Sequence, residues 1–257
     1  MSRLTDAFKG KKAFIAFITG GDPSLGKTVE YAAAMAEAGA DIIEIGIPFS
    51  DPIADGEVIQ RSSLRALKAG AGVESIFECV GKIREKTDVP LVFLTYLNPV
   101  FKYGYERFFN ACKTFGVDGI IIPDMPYEEQ AQLKPIARDK GVDVISLIAP
   151  TSEDRIREIA KNANGFIYVV SSMGVTGGAV EVNAALNSAI GLIRAATDTP
   201  AAVGFGVSTP EQAAQISRLS DGVIVGSAIV RLIEESGDGA QDALAGYVRA
   251  MKRAISQ

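Results

Sequence analysis

The chain of 257 residues is 47% hydrophobic and 22% charged, the make-up of a globular protein with a sizeable core, which excludes disordered and collagen-like classes. Its 26 basic and 31 acidic residues give a net charge of −5 without a run of like charge, so nucleic acid is not an expected partner. Histidine is absent, which removes Ser-His-Asp triads, imidazole acid/base chemistry and His-containing metal sites. Carboxylates, phenols, hydroxyls, lysines and backbone amides must carry any reaction.

The N-terminal residues Met1 to Lys12 lack the apolar core of a signal peptide, and no apolar run approaches the ~18 residues that span a bilayer. A cytoplasmic location and no membrane association are expected. An apolar run at 13–18 reads as the first strand, followed by a helix over 24–38 behind a serine N-cap. A strand at 41–45 and a helix at 73–86 come next, then 90–95 with 103–115, 119–122 with 128–140, and 142–148 with 152–161. The last three pairs are 166–170 with 184–196, 200–203 with 209–219, and 223–225 with 241–255, a short helical stretch at 228–235 lying between the final two. Cys79 and Cys112 fall in separate apolar helical patterns and read as buried thiols.

Three helix-to-strand joints repeat one pattern, Gly39-Ala-Asp41, Gly116-Val-Asp118 and Gly141-Val-Asp143, in which glycine ends a helix and aspartate opens a strand. Strands that are apolar throughout are buried on both faces, and strict strand-helix alternation implies parallel pairing with right-handed crossovers. Eight such units close into an α/β (β/α)8 TIM barrel, expected here as one domain over 1–257 with extra short helices. The alternative is an open doubly wound sheet, for which no Gly-x-Gly-x-x-Gly fingerprint follows the first strand.

In a barrel the candidate site residues lie at and just beyond the C-terminal strand ends. Strand two holds Glu44, which the two-residue strand period points either into the barrel or at the helix layer. Burial without a partner would keep it protonated and suit it to general acid/base work; a salt bridge to a barrel lysine is the other reading. Asp55, after Pro48 and Pro52, is either set over the barrel mouth or a turn and cap residue. Glycines follow strands six to eight: Gly174, Gly177 and Gly178, then Gly204 and Gly206, then Gly226 before Ser227. Their backbone amides and a helix N-terminus suit a phosphate, although each loop alone is also ordinary turn chemistry.

Several motifs carry a resemblance that runs essentially from end to end. They are Ile43-Glu-Ile-Gly-Ile-Pro-Phe-Ser-Asp-Pro-Ile-Ala-Asp-Gly56, Phe17-Ile-Thr-Gly-Gly-Asp-Pro23, Tyr96-Leu-Asn-Pro99, Pro123-Asp-Met-Pro126, Gly174-Val-Thr-Gly177, Gly204-Phe-Gly206 and Gly226-Ser227. With them the chain resembles the α subunit of tryptophan synthase. The resemblance implies a lyase that cleaves indole-3-glycerol phosphate by a retro-aldol reaction to indole and glyceraldehyde 3-phosphate. It implies Glu44 as acid/base, Asp55 on the indole N–H, and Tyr168 beside the glutamate. Phe17 and Leu94 would then contact the indole ring, Gly177, Gly206, Gly226 and Ser227 the phosphate, and Thr176 would sit in a loop closing over substrate. Ser172-Met173 departs from the Arg and small residue that some members carry there.

The resemblance further implies an α2β2 heterotetramer in which pyridoxal phosphate belongs to the β subunit, so no cofactor or metal is expected on this chain. Asp51, Pro52, Asn98, Phe101, Asp124 and Pro126 match segments facing that partner. Competing readings are another phosphate-binding barrel, a catalytically weak barrel that activates a partner, and a free-standing indole-releasing lyase.

Overall fold

The computed structural model describes residues 2–150, 152–170, 184–204 and 206–256. In chain order its elements are α1 (Arg3–Asp6), β1 (Ala13–Thr19), α2 (Leu25–Glu37), β2 (Ile42–Gly46), α3 (Glu57–Lys68), α4 (Val73–Arg84), β3 (Leu91–Leu94), α5 (Leu97–Tyr103) and α6 (Tyr105–Phe115). They continue with β4 (Gly119–Ile121), α7 (Lys134–Asp139), β5 (Asp143–Val144), β6 (Ser146–Ile148), α8 (Glu153–Lys161), β7 (Ile167–Val170) and α9 (Ala184–Ala196). The last are β8 (Ala201–Gly204), α10 (Pro210–Ser217), β9 (Gly222–Val225), α11 (Ser227–Ser236) and α12 (Ala240–Ile255).

Every strand pairing is parallel, in the order β5-β4-β3-β2-β1-β9-β8-β7-β6. The two ends of that order, β5 and β6, are consecutive halves of one strand, the segment expected at 142–148. Its first half pairs with β4 and its second with β7, and the Ile145 amide donates to the Ile120 carbonyl at 2.9 Å, so the sheet closes into a barrel. The open-sheet alternative is thereby excluded.

The two faces of the strands sort as the pleat requires. Ile15, Ile42, Val92, Ile121, Ile145, Phe166, Ala202 and Ile224 fill the barrel interior, while Phe14, Ile43, Ile45, Phe93, Ile120 and Val203 join the layer between barrel and helices. Helix α1 lies beneath the barrel, where Leu4 and Phe8 pack on the interior cluster.

Three expectations need correction. The helix expected at 103–115 is α6, beginning at Tyr105, and the separate helix α5 that precedes it, ended by Gly104 with φ 90°, is not among the expected elements. The segment 128–140 is a short 3-10 turn over Tyr127–Gln132 followed by α7, because Pro135 near the start of α7 supplies no amide to a preceding turn. Helix α3 has no counterpart in the sequence reading, since its inward face is built of Ile59, Ser62, Ser63 and Ala66 rather than a large apolar stripe. The cysteines are free and buried, as expected, and burial pushes the Cys79 thiol up to about 11 and Cys112 higher still.

Candidate active site

Glu44 alternates with Ile43 and Ile45, which face the helices, so it points into the barrel between Phe17 of β1 and Val92 of β3. It is 1% exposed, no ion pair reaches it among the described residues, and its Oε1 has no hydrogen-bond partner there. The salt-bridged reading is therefore wrong. Loss of water around the charged form raises its pKa to about 8, and Glu44 is a neutral acid near pH 7.

Asp55 is delivered by the loop after β2. Ile47 extends that strand by donating to the Leu94 carbonyl at 2.9 Å, and the chain then turns, with Ile53 donating to Asp51 and Asp55 to Pro52. The Tyr96 ring packs against Phe49 with centroids 5.5 Å apart, and its hydroxyl accepts from the Ala54 amide at 3.0 Å while bonding the Asp55 carboxylate. Burial raises Asp55 to about 6, and the hydroxyl of Tyr96 works against that rise. Asp55 is thus a cavity residue, two positions before α3, rather than only a turn or cap residue.

Tyr168 stands on β7 across the barrel. Burial, and then the charges of Glu44 and Asp55, push its hydroxyl well above the ordinary phenol range, which draws the three groups into one electrostatic neighbourhood. Its ring lies over Gly204, where an added Cβ would come 2.3 Å from the hydroxyl oxygen. A side chain at 204 and this position of Tyr168 are therefore incompatible.

These side chains open on a cavity of about 250 Å³ at the C-terminal ends of the strands. Phe17, Leu94, Ile59 and Leu147 give it apolar walls, and Gly206, Gly226 and Ser227 line it at the start of α11. Gly226 is the N-cap of α11, so unfilled backbone amides of that helix face the same space, and Gly206 takes a φ of 77° that favours glycine. The cavity thus brings two carboxyl groups and a helix N-terminus to one space. Thr176 and Gly177, with Ser172 and Met173, lie outside the described residues. Among the described residues no three His, Cys, Asp or Glu side chains gather as metal ligands.

Sequence reasoning placed Glu44, Asp55, Tyr168, Phe17, Leu94, Gly206, Gly226 and Ser227, and all of these line one cavity. It missed Tyr96 as an individual, although a phenol directly after a barrel strand is a signal by the strand-end rule. It also missed Arg231 and Gln212, whose places on α11 and α10 follow from helix geometry and not from proximity to a strand end.

A closed parallel barrel with buried carboxyl groups at its C-terminal mouth belongs among the (β/α)8-barrel enzymes. The family model for the tryptophan synthase alpha chain matches residues 4–256. The tryptophan synthase alpha chain of Lacticaseibacillus casei is 49% identical over 255 residues, which cover 99% of this chain and 96% of that one. A chain in a structure of Mycobacterium tuberculosis tryptophan synthase superposes with a TM-score of 0.92 at 33% identity, covering 100% of this chain and 99% of its own. A chain from the tryptophan synthase α2β2 complex of the hyperthermophile Pyrococcus furiosus, studied for its mutual activation, gives a TM-score of 0.86 at 36% identity, with 94% and 98% covered. The chain belongs to the tryptophan synthase alpha chain family.

Proposed function

We propose that this chain is the lyase subunit that cleaves indole-3-glycerol phosphate to indole and glyceraldehyde 3-phosphate in tryptophan biosynthesis. The observation that carries the reading is that two carboxyl groups line one cavity in different surroundings, Glu44 buried without an ion pair among the described residues and raised to about 8, Asp55 bound by the Tyr96 hydroxyl and raised to about 6. Between those values Glu44 is an acid and Asp55 an anion, so a proton donor and a fixed negative charge coexist near neutral pH.

The reaction needs both. Glu44 gives its proton to C3 of the indole ring, and the ring nitrogen takes on positive charge that the Asp55 carboxylate stabilises through the N–H. Glu44, now a carboxylate, accepts the proton of the hydroxyl on the carbon joined to C3. The O–H pair becomes the carbonyl, the C–C pair returns to the ring and neutralises it, and glyceraldehyde 3-phosphate separates from indole. Glu44 ends protonated, so the cycle closes without another proton source.

The walls suit the rest of the molecule. Phe17 and Leu94 offer apolar surface to the indole ring, and Tyr168 limits the space beside Glu44. Gly206, Gly226, Ser227 and the amides of α11 receive the phosphate and contribute binding energy at that end of the substrate. Thr176 and Gly177 complete that end by the family pattern.

The chain works with a tryptophan synthase β subunit in an α2β2 assembly, is cytoplasmic, and has no cofactor of its own, pyridoxal phosphate residing on the β subunit. Support for a partner at the barrel mouth comes from Ile53, 78% exposed in the loop after β2, and Phe101, 68% exposed on α5, the helix that follows β3. The test is release of glyceraldehyde 3-phosphate from indole-3-glycerol phosphate, followed through a coupled dehydrogenase, with and without the β subunit. Wild-type turnover that falls at least about 10²-fold in Glu44→Gln supports the reading. No product under either condition overturns it, and unchanged activity in Glu44→Gln overturns the mechanism while leaving the reaction.

A further inference from the structure

Three arginines lie along the seam between α3 and α11, and two are fully engaged. Arg65 holds Asp22, which is 2% exposed, by two bonds of 2.9 and 2.7 Å, and its remaining nitrogen reaches Glu234 at 2.7 Å. Arg61 binds the same Glu234 through Nε at 3.1 Å and Nη2 at 2.9 Å. Both oxygens of Glu234 are thereby committed to α3.

Arg231 is the third. Glu234 and Glu235 stand three and four positions beyond it on α11, where an exposed arginine ordinarily finds an ion-pair partner. Glu234 is turned to α3 instead, and among the described residues no ion pair joins Arg231 to Glu235 or to any other acid. The Arg231 side chain instead lines the cavity beside Gly226, Ser227 and Ala228. That direction follows from helix geometry, since side chains lean toward the N-terminus and a residue four after Ser227 reaches back over the first turn. A cation with no acidic partner among the described residues thus lines the cavity that Glu44 and Asp55 also line, one turn into α11 from its N-terminus.

Resting on the reading of the substrate as a phosphate ester, we propose that Arg231 is a phosphate-binding and specificity-determining residue. Its guanidinium adds a charge-assisted fork to the neutral cradle of Gly206, Gly226 and Ser227 and selects phosphorylated over unphosphorylated ligands. The Arg61–Glu234–Arg65 network is what keeps Glu234 from pairing with it. Arg231 contributes binding that is the same before and during bond cleavage, so its loss belongs in KM and not in kcat.

The experiment compares wild type with Arg231→Met and Arg231→Lys. Arg231→Met is expected to raise KM for indole-3-glycerol phosphate about tenfold, with kcat changed less than about twofold, and Arg231→Lys to restore most of the loss. By calorimetry, binding of glycerol 3-phosphate should weaken by a similar factor in Arg231→Met and lose much of its salt dependence, whereas indole binding should not change. An unaltered affinity for glycerol 3-phosphate, or an equal loss for indole, overturns the proposal. If wild type binds glycerol 3-phosphate but does not turn over indole-3-glycerol phosphate, the substrate reading fails, and the calorimetry still decides the role of Arg231.

Discussion

At the scale of single residues, the separation of Glu44 and Asp55 predicts a bell-shaped dependence of kcat/KM on pH, rising near 6 as Asp55 ionises and falling near 8 as Glu44 loses its proton. Tyr96→Phe removes the hydroxyl that holds Asp55 down, so the acidic limb should move to higher pH while the alkaline limb stays. A profile whose acidic limb is unmoved in that variant would separate Asp55 from the activity. The same burial has a stability consequence with a definite sign. The folded chain holds a proton on Glu44 from the ordinary 4.5 up to about 8, where the unfolded chain has lost it, so stability declines as pH rises through that window. Glu44→Gln lacks this dependence, and in urea titrations it should gain on wild type between pH 5 and pH 8, by about 1.4 kcal/mol for each step of one in pH. A difference that stays constant with pH would mean that Glu44 is ionised in the fold. Sequence alone left Glu44 between two faces of the strand and two states of charge. The face follows from Ile43 and Ile45 packing under the helices, and the charge from burial at a place where no ion pair reaches it among the described residues, and neither can be read from one strand.

At the scale of elements, the glycine-aspartate joints show how local chemistry builds the barrel. Gly39, Gly116 and Gly141 take φ values of 109°, 78° and 75°, which end the preceding helices in the left-handed region. The aspartates then bind neighbouring strands: Asp41 Oδ2 accepts from the Phe14 amide at 2.7 Å, and Asp118 Oδ2 from Leu91 at 2.8 Å. Asp221, outside the repeated pattern, accepts from Ala201 at 2.9 Å in the same manner. Asp143 differs, its Oδ2 being buried without a hydrogen-bond partner among the described residues. Asp118 also anchors Arg84 and Arg3, so Asp118→Ala strands one strand amide and a largely buried guanidinium. A loss of about 2–4 kcal/mol is expected in chemical denaturation, with Asn at 118 recovering part of it by keeping the acceptor. Turnover of the folded fraction should be unchanged, because the joint lies at the opposite end of the strands from the cavity. Strands were legible because their apolar runs are continuous, whereas α3 was not, because serines at 62 and 63 occupy its inward face. Ser62 is there for Asp22, whose carboxylate it binds together with Arg65, a contact from α3 to the connection between β1 and α2 that no periodicity in α3 announces.

At the scale of the whole molecule, closure of the ring is what turns scattered motifs into one site. Glu44 on β2 and Tyr168 on β7 come from opposite sides of the barrel, and only a closed order of strands brings both to one cavity. The count of strand-helix units predicts that closure, but the change of pairing partner at Ile145, from β4 before it to β7 after it, leaves no mark in the sequence. The segments after β2 and β3 carry the two most exposed large apolar side chains among the described residues, Ile53 and Phe101. Phe101 meets Tyr105 edge-on at 6.1 Å yet remains largely open to solvent, in a fold that buries Phe93, Phe108 and Phe109 completely on neighbouring elements. Burial of such a ring by a partner is favourable, and the isolated chain gains little from it. Phe101→Ala should therefore leave the stability of the isolated chain within about 0.5 kcal/mol of wild type and weaken association with the β subunit by about 1–3 kcal/mol, read by calorimetry of the two purified subunits. Basal cleavage by the isolated variant should match wild type, while the concentration of β subunit needed for full activation should rise. A variant that binds the β subunit as tightly as wild type would move the interface away from this part of the mouth, and one that loses stability to the same extent as binding would make Phe101 a packing residue of α5 and α6.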